Sequence, residues 1–363
     1  MTPHLLMMAG GTGGHIFPGL AVARALRERG WRVTWLGTHN GMEQTLVPKD
    51  LFPLHTVAFE GIVGRGIRPK LALPFRLFSA YWQARKLLSE LRPDVVMGMG
   101  GYPTVPGGLA ASNKGIPLVI HQSDAVAGLA NKCLEHFAKR VLVGFATAFA
   151  DVGSKRVVTG NPIRPEFAQY DDPASRFAAR TGALRMLLMG GSRGADAINK
   201  LLPAALALIP EGRRPIVTHQ TGKGSRDATL ALYENAHVNA SIVDFIDDSP
   251  RALAECDVFI GRSGASTVSE LAALGVASIL IPYPHHKDHQ QLHNAQVLVT
   301  VGAATVFDQL TLTKEQLAAH ILTLTRDSCL TMAKAALAVA KPMATSEICD
   351  EVERLAAGHR AAA

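Results

Sequence analysis

Two glycine-rich segments are the parts of this sequence best suited to holding a phosphate group. Residues 10–14 (GGTGG) follow an apolar run at 5–9, and residues 190–194 (GGSRG) follow one at 185–189. A glycine-rich turn between a strand and a helix presents backbone N–H groups at the positive end of the helix dipole. One such turn is as often a packing device as a phosphate site. Two turns facing each other across a hinge would share one ligand between two domains, which is the interpretation we favour.

The residues around these segments exclude two common nucleotide sites. When the dinucleotide-binding motif GxGxxG is counted from Gly11, Ile16 occupies the position of the third glycine. The apolar run at 32–37 also ends without an acidic residue that could bind a ribose hydroxyl. A dinucleotide site is therefore not expected. The P-loop pattern GxxxxGK[ST] is absent, and so is an Asp-x-Asp pair that would hold a divalent ion on a nucleotide sugar. We therefore expect no metal or other cofactor, and a diphosphate stabilised by backbone amides, hydroxyl groups and arginine.

A third segment, residues 261–270 (GRSGASTVSE), follows the apolar run at 257–260. Small hydroxyl residues at the start of a helix cap it and can also cradle a diphosphate. Glu270 lies one turn further on, where a carboxylate could hold a ribose diol. The alternative is an ordinary capped helix with a glutamate that interacts with the helix dipole.

Two side chains near the predicted strand ends could act on the hydroxyl group of a bound substrate, called the acceptor below. His15 directly follows the first glycine-rich segment, and the ordinary pKa of histidine suits it to take a proton from a hydroxyl near neutral pH. Its alternative role is a structural helix cap. Tyr102, in GMGGYPT, could contact the acceptor from a neighbouring loop, or could simply be a half-exposed aromatic residue.

Short apolar runs alternate with segments of helical period along the whole chain. The runs predict strands at 5–9, 32–37, 95–98, 118–121, 140–144, 157–160, 185–189, 216–220, 242–244, 257–261, 278–282 and 304–307. Strict alternation of strand and helix predicts an α/β fold with parallel sheets covered on both faces. The strand–turn–helix pattern near residue 10 is repeated near residue 190, so we predict two Rossmann-like, doubly wound domains facing across a cleft. Two prolines in GNPIRP (160–165) mark the expected hinge, which divides the chain into 1–162, 163–341 and a final segment 342–363.

Composition limits the class of protein. The 363 residues are 48% hydrophobic and 18% charged, which is typical of folded domains. The net charge of +7 favours an anionic partner, such as nucleic acid, a phosphate-rich ligand or an acidic membrane surface. Four scattered cysteines without a CxxC pair suit a reducing cytoplasm. The apolar run at 5–9 lacks a preceding basic residue, and no apolar stretch reaches about 18 residues, so neither a signal peptide nor a transmembrane helix is expected.

The segment 71–82 (LALPFRLFSAYW) suggests contact with a membrane surface. Its large apolar residues include Leu73, Phe75, Phe78 and Trp82. The flanking basic residues are Arg65, Arg68, Lys70, Arg76, Arg85 and Lys86. An apolar face ringed by bases suits shallow insertion into anionic lipid, and the alternative is a core-packing helix with a solvated basic side.

Four histidines are clustered at His285, His286, His289 and His293. Spacings of four residues place some of them on one helix face, as in metal sites. We do not expect a physiological metal here, because adventitious binding of nickel or zinc is the more common explanation of such a cluster.

Several motifs together resemble those of the MurG family of glycosyltransferases. They are AGGTGGHIFPGLAVA, GMGGYPTVPGGLAA, GNPIRPE, GGSRGA, DFIDD, RSGASTVSELAALG and HHKDHQQLHNA, and they occur in order through nearly the whole chain. The resemblance implies the GT-B fold and an inverting, metal-independent transfer of GlcNAc from UDP-GlcNAc to lipid I, the undecaprenyl-linked MurNAc-pentapeptide, which yields lipid II. It implies an acceptor- and membrane-facing first domain, a donor-binding second domain, and a last helix packed back on the first. It also implies a peripheral protein at the cytoplasmic face of the bacterial inner membrane, with cell-wall and division proteins as partners and no nucleic acid.

The resemblance also implies roles for individual residues. Expected donor-binding residues are Thr12, Gly13, Gly14, Asp124, Arg164, Ser192, Ile246, Ala265, Ser266, Thr267, Val268, Ser269, Glu270, Gln290 and Gln291. Expected acceptor residues are His15, Tyr102 and Gln122, with His15 and Asp124 as the catalytic candidates.

One departure from the family matters for the mechanism. Where the family commonly has His-Glu-Gln-Asn, this chain has His121-Gln122-Ser123-Asp124. Gln122 cannot accept a proton as a carboxylate would, so the loop's remaining carboxylate is that of Asp124. Other readings stay open: a different GT-B enzyme of UDP-GlcNAc, either an epimerase or a lipid-A disaccharide synthase, or a non-catalytic nucleotide-binding scaffold of the division machinery.

Overall fold

The computed structural model describes residues 2–11, 13–59, 73–191, 195–286 and 288–362. The chain forms two compact units. Unit 1 consists of Met1–Arg164 together with Pro342–Ala363, and unit 2 consists of Pro165–Lys341.

Unit 1 is built on a seven-stranded parallel sheet. Its strands are β1 (His4–Ala9), β2 (Arg32–Thr38), β3 (Leu54–Val57), β4 (Val95–Gly100), β5 (Leu118–Gln122), β6 (Arg140–Val143) and β7 (Arg156–Val158). They lie in the order β3-β2-β1-β4-β5-β6-β7. All six residues of β1 are buried, and its apolar side chains alternate between the two cores on opposite faces of the sheet. Burial on both faces explains why the central strands read as unbroken apolar runs.

Five helices in the described part of unit 1 lie between these strands. They are α1 (Gly13–Glu28), α2 (Glu43–Lys49), α3 (Leu73–Leu91), α4 (Thr104–Asn113) and α5 (Leu129–Leu134). Helix α1 buries Ile16, Leu20, Ala23 and Leu26 at helical spacing, which places the residues before it at the carboxyl edge of the sheet.

Unit 2 repeats this architecture with six parallel strands. They are β8 (Arg185–Met189), β9 (Ile216–Gln220), β10 (Ser241–Val243), β11 (Val258–Gly261), β12 (Ala277–Leu280) and β13 (Ala304–Val306), in the order β10-β9-β8-β11-β12-β13. The helices are α6 (Pro173–Ala178), α7 (Asp196–Ala207), α8 (Arg226–Asn235), α9 (Ser249–Glu255), α10 (Ala265–Leu274), α11 (Gln290–Val299), α12 (Lys314–Thr323) and α13 (Arg326–Ala338). In both units the first strand is central and the strand order reverses beside it, as in doubly wound folds.

The last helix, α14 (Ala344–Ala362), belongs to unit 1 and packs against α1. Its buried residues Ile348, Cys349, Val352 and Ala356 join the core formed by α1 and the sheet. Arg360 pairs with Asp94 at 2.7 Å. A segment that follows unit 2 in the chain therefore completes unit 1.

The predicted α/β class with two parallel sheets is confirmed, and each predicted strand run overlaps an observed strand. Strand β3 was missed, because three of its four residues are only half-buried and its sequence, LHTV, has no continuous apolar run. Among the helices of the described part of the chain, none is long and apolar enough to cross a membrane.

Candidate active site

The strand order of unit 1 brings three predicted segments to one edge of its sheet. Strands β1, β4 and β5 are neighbours, and their carboxyl ends lead into the first glycine-rich turn, the GMGGY turn and the HQSD loop. Ligands of such sheets bind outside the carboxyl ends of the strands, at the point where the strand order reverses. His15, Tyr102 and Asp124 thus share one edge although about a hundred residues separate the first from the last.

The first glycine-rich turn is packed backbone against backbone. Gly11 has a φ of +90° and Gly101 a φ of +88°, conformations that favour glycine. A Cβ on Gly101 would overlap the carbonyl oxygen of Gly10, so side chains are excluded where the two turns meet. Thr12 lies outside the described residues, and Gly13 and Gly14 are the first two residues of α1. No acidic residue occupies the first turn of α1.

A residue that the sequence analysis missed holds this turn. Glu43, the first residue of α2, is completely buried. Its Oε2 accepts a hydrogen bond from Gly11 N at 3.0 Å, and its Oε1 accepts from Thr38 N and Thr38 Oγ1 at 2.8 and 2.7 Å. An acidic residue at the start of a helix is unremarkable in a sequence, which explains why it gave no signal.

His15 lies in the first turn of α1, half-buried against β4. A Cβ on Gly100 would lie 2.9 Å from His15 Nε2, so the glycine lets the backbone approach the imidazole ring. Burial lowers the pKa of His15, while the charge of Asp124 and the backbone of Gly10 act in the opposite direction. The imidazole is therefore neutral near pH 7 and able to accept a proton, next to a carboxylate that stabilises the charged form.

In the HQSD loop, Gln122 is buried and hydrogen-bonded within its own loop. Its Nε2 donates to Val126 O at 3.0 Å, and its Oε1 accepts from Gly128 N at 3.0 Å and from Asn131 Nδ2 at 2.9 Å. These bonds hold the loop that carries Asp124, which is half-buried. Gln122 is thus placed to shape the loop, while Asp124 is the residue whose charge acts on His15.

His121, beside it, is wholly buried, with Nε2 at 3.0 Å from Gly160 O, and burial lowers its pKa to about 4. Tyr102 is 37% exposed, just before α4, so its ring is accessible at this edge.

In unit 2 the second glycine-rich turn follows β8. Gly191 has a φ of +80°, and a Cβ there would meet no atom of the residues that the structure describes within 4 Å. Gln220 Nε2 donates to Asp244 O at 2.8 Å and so joins the ends of β9 and β10 next to this turn. Ser192 lies outside the described residues. Ile246 is half-buried in the loop after β10, and Arg164, also half-buried, is the last residue of the first segment of unit 1.

Helix α10 begins without a side-chain cap. Its N-cap is Gly264, and its first turn contains no acidic residue. The first bond of the helix runs from Val268 N to Gly264 O at 2.9 Å, so the N–H groups of Ala265, Ser266 and Thr267 precede the helical bonding pattern. An uncapped start of this kind attracts an anion through these N–H groups and the helix dipole.

The later residues of this predicted segment have different surroundings. Val268 is fully buried, and Ser269 Oγ donates to Ala265 O at 2.9 Å within the helix. The Val268 side chain is therefore part of the core, whereas Ser269 is half-buried with its hydroxyl bonded to its own helix. Glu270 is half-buried on the following turn.

The two residues of α11 that are expected to bind the sugar lie close to the start of α10, and Gln291 is hydrogen-bonded there. Gln291 Oε1 accepts from Tyr283 N at 2.8 Å, and Ser263 Oγ donates to Gln291 O at 2.6 Å. Gln290, half-buried, is the first residue of α11 and donates weakly to Asp288 at 3.4 Å. Gln291, one of the two sugar-binding candidates, is thus hydrogen-bonded to Ser263, the residue before the N-cap of α10.

Arg262 is a second residue that the sequence analysis did not assign. Its guanidinium donates to Ile281 O at 2.9 Å and to Gln309 Oε1 at 2.6 Å, and it stacks on the Tyr283 ring at 5.5 Å. Although it precedes a predicted phosphate-binding turn, it supports the loop between β12 and α11. The cluster of four histidines lies nearby, and no group of three or more potential metal ligands occurs among the described residues.

Helix α3 exposes the predicted aromatic row. Phe75, Phe78 and Trp82 are 79%, 65% and 52% exposed, whereas Ala80 and Ala84 on the opposite face are buried. Leu73 packs against the core, so its side chain is not part of the exposed row. The expected basic residues Arg65, Arg68 and Lys70 lie outside the described residues.

Two doubly wound α/β units, each with a candidate ligand site at the carboxyl edge of its sheet, are the architecture of the GT-B fold. Residues 5–143 match the glycosyltransferase family 28 N-terminal domain, and residues 185–348 match the glycosyltransferase family 28 C-terminal domain. The chain therefore belongs to glycosyltransferase family 28 and, within it, to the MurG family.

Two relatives and two solved structures illustrate this similarity. A protein of Cupriavidus necator is 50% identical over 96% of this chain and 98% of its own length, and one of Nitrosomonas europaea is 46% identical over 96% and 98%. Both are named UDP-N-acetylglucosamine--N-acetylmuramyl-(pentapeptide) pyrophosphoryl-undecaprenol N-acetylglucosamine transferase. The crystal structure of Acinetobacter baumannii MurG is 36% identical, with a TM-score of 0.85 over 97% of this chain and 99% of that one. The glycosyltransferase of kitacinnamycin, at 19% identity and a TM-score of 0.71, shares the fold.

Proposed function

We propose that this protein transfers GlcNAc from UDP-GlcNAc to the C4 hydroxyl of the muramyl sugar of lipid I, with inversion, giving lipid II. The observation that carries the proposal is the 50% identity, over nearly the whole chain, to a protein named for this reaction. The chemistry at the two sheet edges supports it, since one edge offers a proton acceptor and the other an anion site.

Unit 2 binds the donor in this proposal. The N–H groups at residues 265–267 and the α10 dipole stabilise the diphosphate as UDP leaves, which lowers the energy of the transition state. Glu270 holds the ribose, Ile246 meets the uracil through its backbone, and Gln290 and Gln291 read the hydroxyls of GlcNAc. Ser192 and Arg164 add a hydroxyl and a positive charge to the same ligand.

Unit 1 binds and activates the acceptor. His15 accepts the proton of the C4 hydroxyl as its oxygen attacks C1 of GlcNAc and the bond from C1 to the diphosphate breaks. Asp124 stabilises the imidazolium that forms, and Tyr102 contacts the acceptor sugar. Thr12, Gly13 and Gly14 also take part in donor binding. This reaction needs no metal, because backbone N–H groups stabilise the negative charge of the leaving diphosphate.

The decisive experiment measures release of UDP from UDP-GlcNAc with and without a soluble lipid I analogue, and identifies the product. We expect release that depends on the analogue, a β-linked disaccharide product, and full activity in EDTA. Release or isomerisation of the donor without acceptor would indicate an epimerase, and transfer only to an acylated sugar nucleotide would indicate a disaccharide synthase. Binding of UDP without turnover would indicate a scaffold, and abolition by EDTA with rescue by manganese would refute the metal-free reaction.

We also propose that α3 attaches the protein peripherally to the anionic cytoplasmic face of the inner membrane. Three aromatic side chains more than half exposed on one helix are costly in water and suit the lipid interface. Arg76, Arg85 and Lys86 on the same helix would meet anionic headgroups. A lipid-linked acceptor makes this position useful, because it brings the muramyl sugar to unit 1.

A flotation assay with anionic vesicles tests the attachment. Replacing Phe75 and Trp82 by Ser should reduce flotation and leave turnover of a water-soluble acceptor unchanged, and binding of the wild type should weaken as salt rises. Leu310→Ser is the matched control, since Leu310 is 68% exposed on unit 2. A joint loss of flotation, turnover and melting temperature would show instead that the row is part of the fold.

A further inference from the structure

The carboxylate of Glu43 is enclosed by backbone rather than by side chains. A Cβ on Gly10 would lie 2.7 Å from Glu43 Oε1, a Cβ on Gly37 would lie 2.5 Å from Glu43 Cγ, and one on Gly41 would overlap the carboxylate. Three segments that are distant in sequence or separated by a turn therefore approach Glu43 at glycines. Because any side chain there would displace the carboxylate, all three positions leave room for Glu43 only as glycine.

Both oxygens of Glu43 are engaged, and they join different parts of unit 1. Oε1 receives two hydrogen bonds from Thr38, at the end of β2, and Oε2 receives one from Gly11, in the first glycine-rich turn. Only a carboxylate can accept on both sides, since an amide presents N–H groups on one of them. Glu43 therefore ties the turn after β1 to the end of β2.

From this turn, direct packing leads to His15. The carbonyl of Gly10 abuts Gly101, and Gly100, its neighbour in the chain, abuts the imidazole ring of His15. A shift of the turn would displace the start of α1 and with it the ring, because His15 is the third residue of that helix.

We infer that Glu43 is a positioning residue, which fixes the first glycine-rich turn and so sets His15 in place against Gly100 and near Asp124. The catalytic consequence rests on the proposed function, whereas the structural link does not. The alternative to be tested is a buried glutamate that glutamine can replace without effect on His15.

The test compares three variants of the full chain. Glu43→Gln keeps the shape of the side chain, but its amide nitrogen cannot accept the hydrogen bonds that one carboxylate oxygen accepts. Thr38→Val removes the hydroxyl donor, one of the three donors to Glu43. Gln44→Ala is the matched control. Gln44 Nε2 donates to Thr38 O at 2.7 Å, so the control removes a neighbouring bond that does not reach the glycine-rich turn. The readouts are turnover with saturating substrates, UDP affinity, melting temperature, and the ring chemical shifts of His15 by NMR, assigned with His15→Ala.

We expect Glu43→Gln to lower turnover about 10- to 100-fold, as small misplacements of catalytic groups do, with UDP affinity unchanged. The His15 ring resonances should move. Thr38→Val should show the same pattern with turnover lowered about fivefold, which corresponds to the loss of one hydrogen bond. Gln44→Ala should resemble the wild type.

Unchanged turnover and unchanged His15 shifts in folded Glu43→Gln would overturn the inference, and so would a loss of turnover without any change at His15. If Glu43→Gln does not fold, Thr38→Val decides between the same outcomes. If the wild type transfers no GlcNAc, the proposed function fails, and the His15 resonances still show whether Glu43 sets the ring.

Discussion

The first glycine-rich turn of unit 1 and the start of α10 in unit 2 use the same backbone feature in opposite electrostatic surroundings. At the first, Glu43 takes the N–H of Gly11 and Asp124 acts on His15, so two carboxylates lie near the start of the helix. At the second, Gly264 caps the helix without a side-chain bond, and no acidic residue lies in the first turn. Carboxylates favour a group that gains a proton, whereas an uncapped helix start favours a departing anion. A glycine-rich turn alone therefore does not specify a phosphate site, because the residues packed behind the turn set its electrostatic potential.

The largest expected effect concerns the base in unit 1. His15→Ala should cut turnover about 100- to 10,000-fold, the usual contribution of a positioned base, and leave UDP-GlcNAc affinity unchanged. His136→Ala is the control, because that side chain is 81% exposed. Steady-state kinetics and calorimetry check both values. Full activity at saturating acceptor across the pH range would leave alignment of the acceptor as the main source of catalysis.

The two turns should also differ in how they tolerate a side chain. Gly191→Ala should cost only the backbone strain of a positive φ, about 1–2 kcal/mol of unfolding free energy, since no atom of the described residues would lie within 4 Å of the added Cβ. Gly101→Ala should cost that strain plus about 1–3 kcal/mol for its overlap with Gly10. Denaturant unfolding of each variant gives the two values. Equal losses would contradict the tight packing of the first turn.

The expected role of Glu270 in donor binding, next to the start of α10, can be tested by substitution. Glu270→Ala should weaken UDP binding by about 1–3 kcal/mol, the loss of a hydrogen bond to a charged group. Ser269→Ala should weaken UDP binding less, because the Ser269 hydroxyl already donates to Ala265 O inside the helix. Isothermal titration measures both, and an unaltered affinity in Glu270→Ala would remove this residue from the donor site.

The smallest expected effect is a shift in the pH dependence of turnover, through the pKa of His15. Burial holds the pKa of His15 below its ordinary value of 6.5, so the acidic limb of turnover should lie below pH 6.5. The charge of Asp124 raises that pKa, and Asp124→Asn removes the charge, so the limb should move to lower pH.

A pH–rate profile of Asp124→Asn also distinguishes two roles. If Asp124 only orients the acceptor or stabilises the imidazolium, asparagine should largely preserve turnover at neutral pH. If Asp124 carries acid–base work itself, the loss should approach that of His15→Ala. A limb that moves to higher pH would contradict the assigned interaction.

The strands and the two parallel sheets could be predicted from the sequence, because central strands buried on both faces leave continuous apolar runs such as LLMMA. Edge strand β3 could not, since half-burial leaves no such run. His15 and Glu270 were candidates because their motifs are local. Glu43 was not, because its partners Gly11 and Thr38 become neighbours only when β1 and β2 pair. The use of Gln122 within its own loop likewise depends on a fold of that loop that no spacing reveals.

Helix α14 has a consequence for the order in which the protein is made. A ribosome completes all of unit 2 before it reaches residues 344–362, yet Ile348, Val352 and Ala356 belong to the core of unit 1. Domains fold as units during synthesis, and here the unit that begins the chain must wait with part of α1 uncovered. Unit 2, although second in the sequence, is the first whose residues are all available, so nascent unit 1 is the part that chaperones would need to shield.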